Sequence, residues 1–155
     1  MPSALLERLK VQMGVLLPVV RAFRREFGTA RVDEVLRRVL AEWRVRQALE
    51  LHDSLEGPPV ERFRQGQRML APQIGDALEF EMIEESPDRA VFNIRRCAFA
   101  EYFETLGESA LGYELVCRLD EDIAERIGEG HVTLARSGTL MTGAAVCDFR
   151  YTLKP

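Results

Sequence analysis

ALEFEMIEESPDRAVFNIRR, residues 77–96, decides how the chain is built. Leu78, Phe80 and Met82 alternate with Glu79, Glu81 and Ile83, close to the two-residue repeat of a half-buried strand. Ser86 to Ala90 (SPDRA) has the composition of a turn. RAVFNIRR, residues 89–96, then sets Val91, Asn93 and Arg95 opposite Phe92 and Ile94. Two alternating runs around a short turn predict a β-hairpin.

Upstream of this hairpin the period is helical. Leu5, Leu6, Leu9, Met13, Leu16, Leu17, Val20 and Phe23 recur at three- and four-residue steps, predicting a helix over 3–27. Ser3 is its N-cap, Gly28 its stop, and Pro18 with Gly14 four residues back predicts a kink. Val32, Val35, Leu36, Val39, Leu40 and Trp43 mark a second buried stripe on a helix over 31–53. After the breaker DSLEGPP, residues 59–73 form a third helix, with Pro59 in its first turn and Val60, Phe63, Gln67 and Leu70 on one face.

Downstream, residues 97–127 return to helix, in short pieces because of Gly107 and Gly112. Strands over 131–139 and 146–153 follow, joined across MTGAA. The expected architecture is α+β, a helical N-terminal half packed on a roughly four-stranded antiparallel sheet. One domain is expected over residues 1–155, mainly helical in 1–75 and mixed strand and helix in 76–155.

Composition narrows the function classes. Three widely scattered cysteines, an odd number, argue against a disulfide framework and for a reducing compartment. The apolar run VQMGVLLPVV is about half the ~20 residues needed to span a bilayer, and the basic RAFRREFG after it has no small-x-small cleavage pattern. A cytoplasmic protein with no targeting segment and no membrane partner is expected. Residues 1–68 carry 13 Lys or Arg against 9 Asp or Glu, and the rest carry 8 against 16. The basic half is not a nucleic-acid signature, because Glu34/Arg38, Arg38/Glu42 and Glu42/Arg46 are i,i+4 pairs and no aromatic-basic stripe accompanies them.

No glycine-rich phosphate loop, CxxC, HExxH or GxSxG is present, so no cofactor is expected. The reactive types collect in the last 60 residues. Cys97 falls where a strand gives way to a helix, behind Arg95 and Arg96, a place that favours a thiolate or an anion. A buried cysteine filling that corner is the plainer reading. Cys147 and Asp148 point to opposite faces of their strand, so Cys147 goes with Phe149 and Asp148 with Arg150. Alternation alone leaves open whether Asp148 faces solvent or a cleft. Arg136 shares a face with Val132 and Leu134, and a guanidinium among apolar neighbours calls for a carboxylate, from the chain or from a ligand. Zinc, were it bound, would take Cys97, Cys117, His131 and Cys147, although these lack the close pairs of structural zinc sites.

The ordered set Cys97-x-x-x-Glu101, Leu106-Gly107, Cys117-x-x-Asp120, Arg136, Thr139, Gly143 and Cys147-Asp148-Phe149-Arg150-Tyr151 resembles the L-2-amino-thiazoline-4-carboxylic acid hydrolase family. It is more remotely similar to 4-vinyl-reductase-like small-molecule-binding domains. The resemblance implies a hydrolase that opens a thiazoline ring, giving N-carbamoyl-L-cysteine. It implies Cys147 or Cys97 as nucleophile, Asp148 or Asp120 to orient water or protonate nitrogen, and Arg136 to grip the substrate carboxylate. Glu101 and Gly143 join the expected substrate-binding set. Where the family often reads Gly-Gly-Asp before the cysteine, this chain has Gly143-Ala144-Ala145-Val146. The alternative is a non-catalytic binding or sensing domain of the same fold. The expected partner is a small molecule, and the helical half is the expected place for assembly, a homodimer included.

Overall fold

Ser3 opens the first helix as its side chain accepts the Leu6 N–H at 3.1 Å, and Gly28, at φ +87°, closes it. The computed structural model describes residues 1–154. Helices α1 (Ala4–Phe27), α2 (Thr29–Asp53) and α3 (Pro59–Ile74) fill the first half. Strands β1 (Leu78–Glu85) and β2 (Arg89–Cys97) then lead to α4 (Ala98–Leu106). Next come α5 (Ser109–Gly112), a π turn (Tyr113–Cys117) and α6 (Arg118–Gly128). Strands β3 (Val132–Ala135) and β4 (Cys147–Leu153) end the fold, with a 3₁₀ turn (Leu140–Thr142) between them. This is an α+β fold.

The four strands lie in the order β1-β2-β4-β3, all antiparallel. Register places Phe92 opposite Phe149, Ile94 opposite Cys147, and Leu134 opposite Tyr151. These side chains share the face that packs on the helices. On the other face, Glu81 meets Arg95 at 2.6 Å and Arg150 donates to Asn93 at 2.9 Å. That polar ladder leaves the sheet apolar on one side only.

The buried side chains form two clusters. Met13, Leu17, Phe99, Phe103 and Leu111 make the first, between α1, α4 and α5. Phe63, Ile94, Ile127, Phe149 and Tyr151 make the second, between the sheet and helices α3 and α6. Leu78, Cys97 and Leu140 pack against both. Each fully buried large side chain, such as Phe103 or Ile127, contributes about 1.5–3 kcal/mol.

Several local expectations are corrected. The strand expected over 131–139 stops at Ala135, because Ser137 and Gly138 turn their N–H groups to Asp148 instead of a neighbouring strand. Gly112 does not break a helix: it lies where a side chain would collide with Phe103 and Met141. On α2, Val32 is buried, whereas Val35, Val39 and Trp43 are exposed. Phe23 on α1 and Gln67 on α3 are exposed too. Among the described residues, no helix is long and apolar enough to cross a membrane.

Candidate functional site

The two core clusters meet at the C-terminal end of β2, the π turn and the start of β4. The chain places most of its sequence-predicted site residues at this junction. A π turn is wider than an α turn and leaves carbonyls without their usual partners. Here two arginines fill that need. Arg44 on α2 donates to Glu114 O at 2.7 Å, and Arg136 donates to Cys117 O at 2.8 Å.

Arg136 lies just beyond β3 with only 3% of its side chain exposed. Its Nη1 donates to Asp120 Oδ2 at 3.0 Å and its Nη2 to Glu121 Oε1 at 3.0 Å. The guanidinium carbon sits 4.9 Å from the centre of the Phe149 ring, within cation–π range. The carboxylate that the buried arginine called for is therefore supplied by the chain, twice. Burial raises the Asp120 carboxyl to about 6 against the opposing pull of Arg136. At neutral pH this group stands close to its titration point.

The three cysteines are free thiols around this junction. Cys147 is 5% exposed on the core face of β4, and its sulfur accepts the Leu140 N–H at 3.2 Å. Burial raises its pKa; the Leu140 N–H and the Arg136 charge oppose the rise. Cys117 is pushed up to about 12 by burial and by Asp120. Cys97 precedes the first turn of α4, and the Ala100 and Phe99 N–H groups favour its thiolate, but burial outweighs them and the pKa rises. The helix N-terminus is present, yet desolvation is the larger effect. All three are thiols at neutral pH.

Asp148 lies on the opposite face of β4 from Cys147, as alternation requires. Its carboxylate accepts from the Ser137 hydroxyl at 2.7 Å, the Ser137 N–H at 3.0 Å and the Gly138 N–H at 3.0 Å. Partial burial, which raises the pKa, is overcome by these donors, and the group falls to about 2. Asp148 fastens the segment that follows Arg136. Glu101 is drawn to Arg96 at 2.7 Å on the surface of α4.

An open pocket of about 420 Å³ lies between α4, α5 and the 3₁₀ turn, with no cysteine among the residues that line it. Its walls include Ala100, Glu104 and Ser109 on one side and Leu140, Thr142 and Gly143 on the other. Ala100 and Leu140 are the residues whose N–H groups favour the charged forms of Cys97 and Cys147. Gly143, at φ +87°, ends the 3₁₀ turn, where a side chain would be strained. The zinc set does not gather here. His131 is exposed, with its Nδ1 2.8 Å from Lys154 O, and no group of three His, Cys, Asp or Glu is arranged to hold a metal among the described residues. Nothing in residue spacing singles out Glu121, Ser137 or the Leu140 N–H; only the adjacency of Glu121 to Asp120 marks it.

The family model for L-2-amino-thiazoline-4-carboxylic acid hydrolase matches residues 8–151. The chain belongs to this hydrolase family. The match spans the helical half as well as the C-terminal cysteine strand, so α1–α3 are part of the family's fold. No curated protein matches the chain. A similar solved structure is the crystal structure of the phenol-responsive sensory domain of the transcription activator PoxR with phenol. It aligns with a TM-score of 0.50 at 9% identity, covering 88% of this chain and 71% of that one. At that identity the likeness is one of fold.

Proposed function

We propose that this member of the hydrolase family opens a small cyclic amidine, L-2-amino-thiazoline-4-carboxylate or a close analogue, toward N-carbamoyl-L-cysteine. The observation that carries the reading is the pocket-wall residue Leu140, whose N–H reaches the Cys147 sulfur at 3.2 Å, while the Ala100 N–H of the same wall favours the charged form of Cys97. Those N–H groups stabilise a thiolate when one forms. The charges of Asp120 and Arg136 also reach Cys147.

In this scheme Cys147 is the nucleophile and Asp120 the group that takes its proton. The sulfur of Cys147 attacks C2 of the ring, the C2–S bond of the ring breaks, and the leaving sulfur takes the proton from Asp120. Water then adds to C2, one of its protons going to Asp120 and the other to the former ring nitrogen. The bond to Cys147 breaks, its sulfur is reprotonated, and C2 leaves as the carbamoyl carbon. One water is consumed and nothing is oxidised or reduced. Arg136 holds Asp120 in place and meets the substrate carboxylate when Glu121 yields its place. Asp148 positions the segment carrying Ser137 and Gly138.

A second reading, a non-catalytic domain that binds or senses a small molecule, is favoured by the fold likeness to the phenol-responsive sensory domain and by thiols that burial keeps protonated. Incubating the purified chain with the thiazoline and following ring-opened product separates the two. The hydrolase reading expects product, lost in Cys147→Ser, with kcat/KM rising through about pH 6 as Asp120 ionises. No product, together with thermal stabilisation by a small ligand, establishes the binding reading instead.

A further inference from the structure

Half of the stripe that α2 was expected to bury is exposed, while Val32, Leu36 and Leu40 keep to the core side. Val35, Val39 and Trp43 lie four residues apart and are 43%, 50% and 38% exposed. α1 presents a matching row: Val15, Val19 and Phe23, also four apart, are 72%, 44% and 51% exposed. α1 and α2 are joined at Gly28 alone, and Arg24 on one is bonded to Asp33 on the other at 2.8 Å. Leu9 and Leu16 of α1 and Leu36 and Leu40 of α2 pack in the same cluster, so the two helices lie side by side. Helical phase puts the two rows next to one another, on the side of the helix pair away from that cluster.

The patch is on the order of 500 Å², at the top of the range for the largest apolar patch on a monomer. With the charged side chains flanking it, the face approaches the ~800 Å² per partner of a stable interface. Charge identifies the occupant. Glu34, Arg38, Glu42 and Arg46 are exposed and alternate in sign at four-residue steps, three of them immediately before Val35, Val39 and Trp43. The ion pairs that α2 makes inside the chain use Asp33, Arg44, His52 and Asp53, leaving these four without a partner among the described residues. An alternating row is its own complement when a second copy runs antiparallel and the two-fold axis falls between two rungs.

We propose that this face is an isologous homodimer interface between the α1–α2 pairs of two copies, with the axis between Arg38 and Glu42. Arg38 then meets the partner's Glu42, and Glu34 meets the partner's Arg46, each twice. The apolar rows close a four-helix layer between the two chains. The interface lies on the opposite side of α1 and α2 from the pocket that Leu140 lines, so its test is independent of the hydrolase reading.

Sedimentation equilibrium on the whole chain decides the matter. Wild type sediments as a dimer, and Arg38→Glu or Glu42→Arg alone weakens association at least tenfold. The double variant R38E/E42R recovers most of the loss, because the cross-axis pairs are opposite in sign again. Circular dichroism controls for folding, which these exposed sites leave intact. A monomeric wild type, or a double variant no tighter than the single ones, overturns the proposal.

Discussion

Arg136 Nη1 lies 3.0 Å from Asp120 Oδ2, and with the Glu121 pair this contact joins the segment after β3 to α6 above the thiol cluster. Arg136 is buried, whereas the Asp120 side chain keeps a third of its surface in water. The pair is thus anchored from the sheet side and reachable from the helix side. The arginine also caps the π turn through Cys117 O and covers Phe149.

Arg136→Ala removes all of these contacts at once and leaves Asp120 without its cation. The variant is expected to lose about 2–3 kcal/mol at pH 8 in urea unfolding. Sign follows from linkage. Asp120 titrates at about 6 in the folded chain, above an unfolded carboxylate, so its ionisation costs folded stability as pH rises from about 4 through 6. Without Arg136 that carboxyl moves higher still. The deficit of the variant is therefore larger at pH 8 than at pH 5, and equal deficits at both would contradict the pairing.

Asp148→Asn tests the segment fastening. The amide keeps one acceptor oxygen but loses the charge shared by the Ser137 and Gly138 N–H groups. A loss of about 1–2 kcal/mol is expected at pH 7. The wild-type carboxyl is depressed to about 2, so its contribution is complete above about pH 4 and disappears as pH falls toward 2. Denaturant curves of wild type and variant should be separated at pH 7 and draw together at pH 2.5.

Two glycines of similar helical conformation should respond in opposite directions. A Cβ on Gly112 would lie 2.5 Å from the Phe103 ring and 2.7 Å from the Met141 sulfur, so Gly112→Ala should cost about 1–3 kcal/mol. A Cβ on Gly14 would meet nothing within 4 Å, so Gly14→Ala should stabilise α1 by about 0.5–1 kcal/mol. Thermal unfolding of the two variants compares them directly.

Thiol reactivity reports on burial. Iodoacetamide should modify the native chain slowly at pH 7.5, with Cys117 the slowest, because its pKa near 12 leaves almost no thiolate. Mass spectrometry should find three adducts promptly only after denaturation. Rapid alkylation of Cys117 in the native chain would show that its site is open to water.

The hairpin over 77–96, the order of the helices and the opposite facing of Cys147 and Asp148 were all legible in the sequence. Each follows from a period of 2 or 3.6 that one element imposes on its own residues. Arg136 was legible as a buried cation needing a carboxylate, because its neighbours on the same strand face are apolar. Its partners were not. Asp120 and Glu121 come from α6, and no local rule says which helix will lie over β3.

The apolar row on α2 is the sharpest case. Val35, Val39 and Trp43 fit a core stripe by spacing, and the structure leaves them exposed because helix phase depends on where α1 and the sheet lie. The same holds for Cys97: the helix start was visible, but how much water it loses was not. By itself the sequence determined periodicity, turn positions and the residue types available for chemistry. Tertiary packing alone decided which of those residues were desolvated, and desolvation sets the thiol pKa values just as packing sets which apolar row is core and which is exposed.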